Sequence, residues 1–278
     1  MVNQTPIVSV LMTAYNREKY IGEAIESVLS STFQDFELII VDDSSKDNTV
    51  EIAKSYEAKD NRIKIYINET NLGDYPNRNR AASLAIGKYI KYLDSDDIMR
   101  FDCLEKMVIG MEMNPSCGFG ISSRSLSNNV IHTSDEAYRV HFFERGILDI
   151  GPSGTIIRND VFQIEHGFWE KRCVSDLEFW LRISKKYDVL EMEKNLIYWR
   201  QHDNQEFNLG KMEYVEHTLS IIESNLNDCC LENYEKKNIL KGLRKSTSRY
   251  LVKNIVDLGL KQTFFLWKVN KLRIFDLF

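Results

Sequence analysis

Cysteine is scarce in this 278-residue chain and unpatterned where it occurs. The five residues (Cys103, Cys117, Cys173, Cys229 and Cys230) are odd in number and form no Cys-x-x-Cys pair. A disulfide framework and a zinc site are therefore not signalled, and buried thiols in a reducing cytosol are expected. Proline is rarer, at four, and glycine reaches only 13; no Gly/Ser/Pro-rich linker or internal repeat is visible. Collagen-like and low-complexity structure is excluded. No run approaches the ~18–20 apolar residues of a membrane-spanning helix. The N-terminus, MVNQTPIVSV, lacks a basic stretch followed by a long apolar one, so no secretory signal is expected. Positive charge is not in excess: 36 Lys and Arg against 41 Asp and Glu give a net charge of −5, with a pI near 5.7. That balance argues against a nucleic-acid partner held mainly by electrostatics. Glycine fingerprints are missing too. No GxGxxG follows the first apolar run and no GxxxxGKS/T occurs anywhere, which weighs against dehydrogenase and P-loop chemistry. A nucleotide here is expected to be held by acids, a metal and an arginine rather than by a glycine loop.

What is present is core-forming material. Hydrophobic residues make up 43% of the chain and charged residues 28%, a balance that supports a large core. At roughly 150 residues per domain the length fits two domains, or one α/β domain with an appendage. Short β-branched runs alternate with helical patterns. Ile7–Met12 is an apolar run closed by Thr13, and Tyr20–Ser30 places Ile21, Ala24, Ile25, Val28 and Leu29 on one helical face. Phe36–Val41 reads as a buried strand, Thr49–Tyr56 as a helix, and Ile63, Ile65 and Ile67 alternate with polar residues as in a half-buried strand. Ala81–Ile86 is predicted helical and Tyr89–Leu93 a strand. This alternation implies parallel pairing with helices on both faces, a doubly wound α/β sheet. From about Gly210 strand signals fade. Helices are predicted at Tyr214–Leu226, Glu235–Leu243 and Ser246–Leu258, followed by an aromatic-basic tail, Thr263–Phe278. The chain thus divides into an α/β domain, 1–209, and a helical region, 210–278, packed on it or lying at a membrane surface, as basic amphipathic helices with Trp and Phe can.

Ligands of such a sheet bind outside the carboxyl ends of the strands, near a switch in strand order. Three strand ends carry polar clusters expected to converge on one rim: Thr13-Ala14-Tyr15-Asn16, Asp42-Asp43-Ser44-Ser45 and Asp94-Ser95-Asp96-Asp97. Asp94 and Asp96, one residue apart, can present hard oxygens to Mg²⁺ or Mn²⁺; the same residue types also form plain turns. Asp42 and Asp43 can cap the next helix, but two adjacent acids exceed what capping needs. One of them can accept the N3–H of a uracil, with Tyr15 stacked on that base or serving as a core aromatic. Phe179 and Trp180 read as core rather than as sugar platforms.

The segment VSVLMTAYNREKYIGEAIESVLSSTFQDFELIIVDDSSKDNT, followed by NLGDYPNRNRAASLAIGKYIKYLDSDD, resembles the family 2 glycosyltransferases of GT-A fold. The likeness continues through PSGTIIRNDVFQIEHGF (152–168), DLEFW (176–180) and YWRQH (198–202), covering roughly residues 5–205. The resemblance implies a Rossmann-like, mostly parallel sheet with a C-terminal helical extension. It also implies roles. Thr13, Tyr15 and Asp43 match nucleoside-binding positions, and Arg78 one near the donor phosphates. Asp94 and Asp96 match the DxD pair, Asp96 as the stronger metal ligand and Asp94 nearer the ribose or sugar. Asp176 matches the catalytic base, and His202 a position that reaches the metal or diphosphate. The chain departs from the family in two places. The acidic pair before xxxW is Ser175-Asp176, and the Gly-Gly-Phe-Asp stretch reads His166-Gly167-Phe168-Trp169. Tyr198-Trp199-Arg200-Gln201 lacks the order of the Gln-x-x-Arg-Trp motif of processive synthases, which implies one sugar added per encounter.

The expected activity is inverting, Mn²⁺- or Mg²⁺-dependent transfer from a UDP-linked sugar to a hydroxyl of a saccharide or lipid-linked saccharide. The expected setting is surface polysaccharide synthesis on the cytosolic side of a membrane, with a homodimer left open. Three other classes compete. A phosphohydrolase with Asp94 as nucleophile does not account for Asp42-Asp43 and Tyr15. A nucleotidyltransferase wants a Gly-rich basic loop where Thr13–Asn16 stands. A sugar-nucleotide binder without catalysis would bind donor and turn nothing over.

Overall fold

The computed structural model describes residues 5–202, 211–273 and 276. The 209/210 boundary and the tail residues Ile274, Phe275 and Phe278 lie outside the described residues. Four parallel strands build one half of the main sheet: β1 (Val8–Ala14), β2 (Phe36–Asp42), β3 (Ile63–Ile67) and β4 (Tyr89–Tyr92). Helices α1 (Ile21–Leu29), α2 (Thr49–Glu57) and α3 (Asp74–Ser83) connect them. A short strand, β5 (Ile98–Met99), and α4 (Cys103–Met113) lead to β6 (Cys117–Ser122), β7 (Val130–His132) and α5 (Ser134–Arg139). Then come β8 (Thr155–Arg158), α6 (Asn159–Ile164), α7 (Ser175–Ser184), β9 (Asp188–Met192) and β10 (Ile197–Tyr198). The sheet order is β3-β2-β1-β4-β8-β6-β9-β7, and β10 pairs with β5 apart from it.

Strand order reverses at β1, which has β2 on one side and β4 on the other. The carboxyl ends of β1, β2 and β4 therefore share one rim beside a topological switch. Parallel pairing does not extend across the whole sheet. β8 runs antiparallel to β4 and β6, and β7 antiparallel to β9. α5 and the helical turn Val140–Arg145 carry the chain from the end of β7 back to the carboxyl rim. The chain enters it from the carboxyl rim through a single turn, Pro152–Gly154, so the strand must run downward and its first residues sit beside the end of β4.

Period-2 alternation builds the two core layers. Val8, Val10 and Met12 face one layer with Ile25, Val28, Leu38 and Ile40. Leu11, Ile39 and Val41 face the other with Tyr92, Phe119, Phe179 and Trp180. Phe119 and Trp180 stack at 5.4 Å, and the Trp180 indole N–H donates to the Ile150 carbonyl at 2.9 Å. Both aromatics at 179 and 180 are core residues.

Two element boundaries differ from expectation. The helix expected at Ala81–Ile86 is α3, which starts at Asp74 and ends at Ser83. Its sequence, DYPNRNRAAS, has no apolar stripe, so only its end shows a helical pattern. The chain then passes close to β1 at Gly87, where a Cβ would lie 2.6 Å from the Ser9 amide nitrogen. The pair of helices expected at Glu235–Leu243 and Ser246–Leu258 is mostly one helix, Asn233–Lys253 (α9), followed by the short α10 (Ile255–Leu258). Arg244 and Lys245 are good helix formers and supply no break. Before these, α8 (Lys211–Leu226) sets Ile221, Ile222 and Leu226 into the cluster that holds Trp180. After them, Gly259 at φ +76° turns the chain into α11 (Leu260–Val269). No helix among the described residues is long and apolar enough to cross a membrane.

Trp180→Ala removes a side chain with no solvent exposure from this layer. It is expected to destabilise the fold by about 3–5 kcal/mol in chemical denaturation; a loss below about 1 kcal/mol would contradict the packing.

Candidate active site

The rim at the switch is a cleft of about 790 Å³. Its walls are Thr13–Arg17 after β1, Asp43 after β2, Asn71–Arg78 across the start of α3, and Asp94–Asp97 after β4, with Glu170, Arg172 and Trp199 on the outer side. The three separated clusters meet there.

The β1 and β2 ends are tied by their turns. Asn16 and Ser44 adopt positive φ (52° and 65°), the Asn16 amide donates to Ser45 Oγ at 2.8 Å, and the Asp43 amide donates to the Ala14 carbonyl at 2.7 Å. Tyr15 is 45% exposed on the cleft rim, so it is not a core aromatic. Asp42 accepts from the Ser45 amide, whereas Asp47 accepts from the Thr49 amide at the start of α2. Neither acid of the 42–43 pair is needed to cap that helix. Asp43, only 3% exposed, instead gathers the next loop: Asn68 Nδ2 (2.6 Å) and the Leu72 amide (2.8 Å) donate to Oδ1, and the Gly73 amide (2.9 Å) donates to Oδ2. Gly73 has φ +90° and ψ 170°, a conformation only glycine adopts readily, and it delivers the chain into α3.

The β4 end is an acid cluster wrapped in cations. One ligand atom from each of Asp94, Asp96 and Asp97 lies within 4.8 Å of the others. The Asp97 amide closes a turn on the Asp94 carbonyl (2.9 Å), so the turn and the acid cluster are the same residues. The Asp94 amide donates to Ser153 Oγ at 2.8 Å, the direct result of β8 running downward. Ser95 Oγ donates to the Thr13 carbonyl at 2.8 Å and locks β4 to β1. Below the cluster Lys91 is fully buried, its Nζ donating to the Tyr92 and Ser153 carbonyls. Arg78 pairs with Asp94 at 2.7 Å and with Asp74 at 2.7 Å. Arg17 Nε and His202 Nε2 both reach Asp96 Oδ2, at 3.1 and 3.0 Å, and the Tyr20 ring stacks on His202 at 4.8 Å. Arg200 Nε donates to the Asp96 carbonyl at 3.0 Å.

Electrostatics follow from this crowding. Burial first, then the Asp94 and Asp96 charges, push Asp97 up to about 8. Burial opposes the charge on Asp94, but Arg78 and Ser153 outweigh it and lower its pKa. Burial likewise opposes the charge on Arg78, and Asp74 and Asp94 more than offset it, holding the guanidinium well above its ordinary value. Three clustered carboxylates with a neighbouring imidazole fit a divalent cation that prefers oxygen ligands.

Asp176 stands apart from this group. It opens α7, half-buried, and accepts from the Leu177 amide at 2.8 Å. It is not in the cleft wall. The Tyr75 ring is, and its hydroxyl donates to Asp176. Burial raises Asp176 to about 6 against those two hydrogen bonds. Nearby, Glu178 is held by Arg182 Nε at 2.8 Å. Thr13, Tyr15, Asp43, Arg78, Asp94 and Asp96 therefore line one cleft, His202 joins it through Asp96, and Asp176 lies behind Tyr75. Sequence reasoning missed Arg17, Asp74, Tyr75, Asp97, Lys91 and Ser153. Asp97 was visible as the third acid of its run; Lys91 and Ser153 carry no signal of their own in the sequence.

The raised Asp176 pKa has a stability consequence. The folded state binds the proton more tightly than the unfolded chain, so this group's contribution falls as pH rises from about 4 through 6. Asp176→Asn is expected to raise Tm more at pH 7.5 than at pH 4.5; an equal change at both would contradict the burial of the charge.

Among known proteins, residues 9–164, more than half of the chain, match the family model Glycosyl transferase family 2. The chain is 42% identical over 126 residues to TuaG of Bacillus subtilis, a glycosyltransferase named for teichuronic acid biosynthesis. That match covers 45% of this chain and 50% of TuaG, so the chain spans half the length of that relative. It is 32% identical over 278 residues to the uncharacterized glycosyltransferase MJ1057 of Methanocaldococcus jannaschii, covering 93% of this chain and 95% of the other. The fold is similar to S. aureus TarS 1-349, solved in complex with UDP-GlcNAc, with a TM-score of 0.70 at 21% identity over 91% of this chain and 76% of that one. The chain belongs to glycosyl transferase family 2 and is a glycosyltransferase with a mixed α/β architecture similar to the GT-A enzymes.

Proposed function

We propose that the protein transfers one sugar, with inversion, from a uridine-diphosphate sugar to a hydroxyl of a saccharide or lipid-linked saccharide, in the synthesis of a surface polysaccharide. The observation that carries this reading is the meeting of the β1, β2 and β4 ends and the start of α3 around one cleft containing three carboxylates and Arg78. TarS in complex with UDP-GlcNAc supports the donor class, and the name of TuaG supports the polysaccharide setting.

The Tyr15 ring, exposed on the rim, is the face on which the base stacks. Asp43 is held rigid by three donors and has a lone pair left on Oδ2 for the base edge. Arg78, fixed between Asp74 and Asp94, holds positive charge where the diphosphate leaves. Asp94, Asp96 and His202 would hold Mn²⁺ or Mg²⁺, which when bound neutralises charge on the diphosphate oxygens. Asp176 takes the proton of the attacking hydroxyl at its carboxylate. A pKa of about 6 suits a base working near neutral pH. Ser175 beside it cannot serve, and Glu178 is tied to Arg182.

A thermal-shift panel checks donor and metal together. UDP with Mn²⁺ is expected to raise Tm more than either alone and more than GDP with Mn²⁺. A GDP preference would contradict the uridine assignment, and shifts indifferent to metal would contradict the cation. Asp176→Asn is expected to keep the UDP–Mn²⁺ shift while turnover falls about 10²- to 10⁴-fold. Hydrolysis of a simple phosphate ester without nucleotide would favour the hydrolase instead.

The C-terminal helices give the proposed setting a physical form. Val256, Leu260 and Phe264 are 88%, 76% and 72% exposed, with Phe265 beside them. Residues 258–273 contain Lys261, Lys268, Lys271 and Arg273 and no Asp or Glu. An apolar face bordered by cations suits an anionic bilayer surface. Sedimentation with phosphatidylglycerol-containing vesicles is expected to carry the protein down, and Phe264→Ser with Phe265→Ser to abolish this. Equal binding to neutral phosphatidylcholine vesicles, or none, would contradict the role.

A further inference from the structure

Two arginines meet the acid cluster, and they are held differently. Arg78 is locked, with a carboxylate on each side, Asp74 and Asp94, and little solvent exposure. Arg17 is not. Its backbone is pinned: the amide donates to Thr49 Oγ1 at 2.7 Å, and the carbonyl accepts from the Tyr20 and Ile21 amides at the entry to α1. Its side chain lines the cleft. The guanidinium donates to two carbonyls, Tyr15 (2.9 Å) and Asn16 (3.3 Å), and Nε reaches one carboxylate oxygen, Asp96 Oδ2, at 3.1 Å. The same oxygen faces His202 Nε2 at 3.0 Å. Arg17 and His202 thus crowd the same oxygen of Asp96. His202 is itself a proposed ligand of the ion, so a divalent ion on that oxygen competes with Arg17 for it. The Arg17 side chain is long and lies at a solvent-facing wall with no second acid holding it.

We propose that Arg17 is a built-in counter-cation for Asp96, occupying the carboxylate when no metal is bound and yielding it when ion and nucleotide arrive together. This rests on the proposed cation site at Asp94 and Asp96. Arg17 then has two effects. It weakens binding of the bare ion, which must displace the guanidinium from its ion pair with Asp96. It also couples ion to nucleotide, because a diphosphate in the same cleft offers the displaced guanidinium a new anionic partner. Arg17 is a positioning residue in this scheme, acting through Asp96.

The test is Mn²⁺ binding to the full chain, read by electron paramagnetic resonance of the free ion, with and without UDP. Wild type is expected to bind Mn²⁺ weakly alone and more tightly with UDP. Arg17→Gln is expected to tighten binding of Mn²⁺ alone by about fivefold, the upper range for a partly exposed ion pair, and to shrink the gain that UDP brings. Arg17→Lys keeps a cation and is expected to behave as wild type. Unchanged or weaker Mn²⁺ binding by Arg17→Gln would overturn the proposal. Tightening by the lysine variant equal to that of the glutamine variant would overturn it too, because charge would not be the cause. Wild type that binds no Mn²⁺ even with UDP would sink the cation site itself, a separate result from the failure of Arg17 alone.

Discussion

Three carboxylates within 4.8 Å at the end of β4 cannot all stay charged unless positive groups surround them, and much of the cleft answers that demand. Each cation comes from a different part of the chain. Arg78 arrives on α3, Arg17 on the turn after β1 and Arg200 on the segment after β10, while Lys91 lies below on β4 itself. The acid cluster therefore draws distant segments to one point. Burial first, and then the charges of Asp94 and Asp96, still push the Asp97 pKa up to about 8.

The other half of the cleft is organised by Asp43. One buried carboxylate accepts from Asn68 and from the amides of Leu72 and Gly73, so the end of β2 fixes the loop that launches α3. Asn77 on α3 closes the arrangement by donating to the Val41 carbonyl at 3.1 Å. The position of Arg78, and with it the pairing of Asp94, thus depends on an acid 35 residues earlier in the chain. The two walls proposed for nucleoside and diphosphate, joined by one short helix, form a pre-set cleft, the arrangement that favours stabilising charge as it develops.

Much of this was legible in the sequence, and for identifiable reasons. β1, β2 and β4 are apolar runs ended by polar clusters, so both the parallel half of the sheet and the convergence of Thr13, Asp43 and Asp94 could be anticipated. α3 was legible only at its end, because its residues bind the cleft and the β2 end rather than filling a core stripe. The downward run of β8 left no trace in composition, and without it the contact of Ser153 with Asp94 could not be foreseen. Lys91, a charged residue within the Tyr89–Leu93 run, sits among carbonyls in the core. Arg17 was indistinguishable from any loop arginine, since its meaning lies in a partner 79 residues away.

In the proposed complex, the separated acidic and aromatic corners surround a single metal–diphosphate ester. The most direct measurement is anomalous diffraction from crystals grown with UDP and Mn²⁺. A manganese peak at roughly 2.1 Å from carboxylate oxygens of Asp94 or Asp96, with the uracil between Tyr15 and Asp43, is the expected result. A peak outside this cleft, or a nucleotide bound on another face of the sheet, would contradict it.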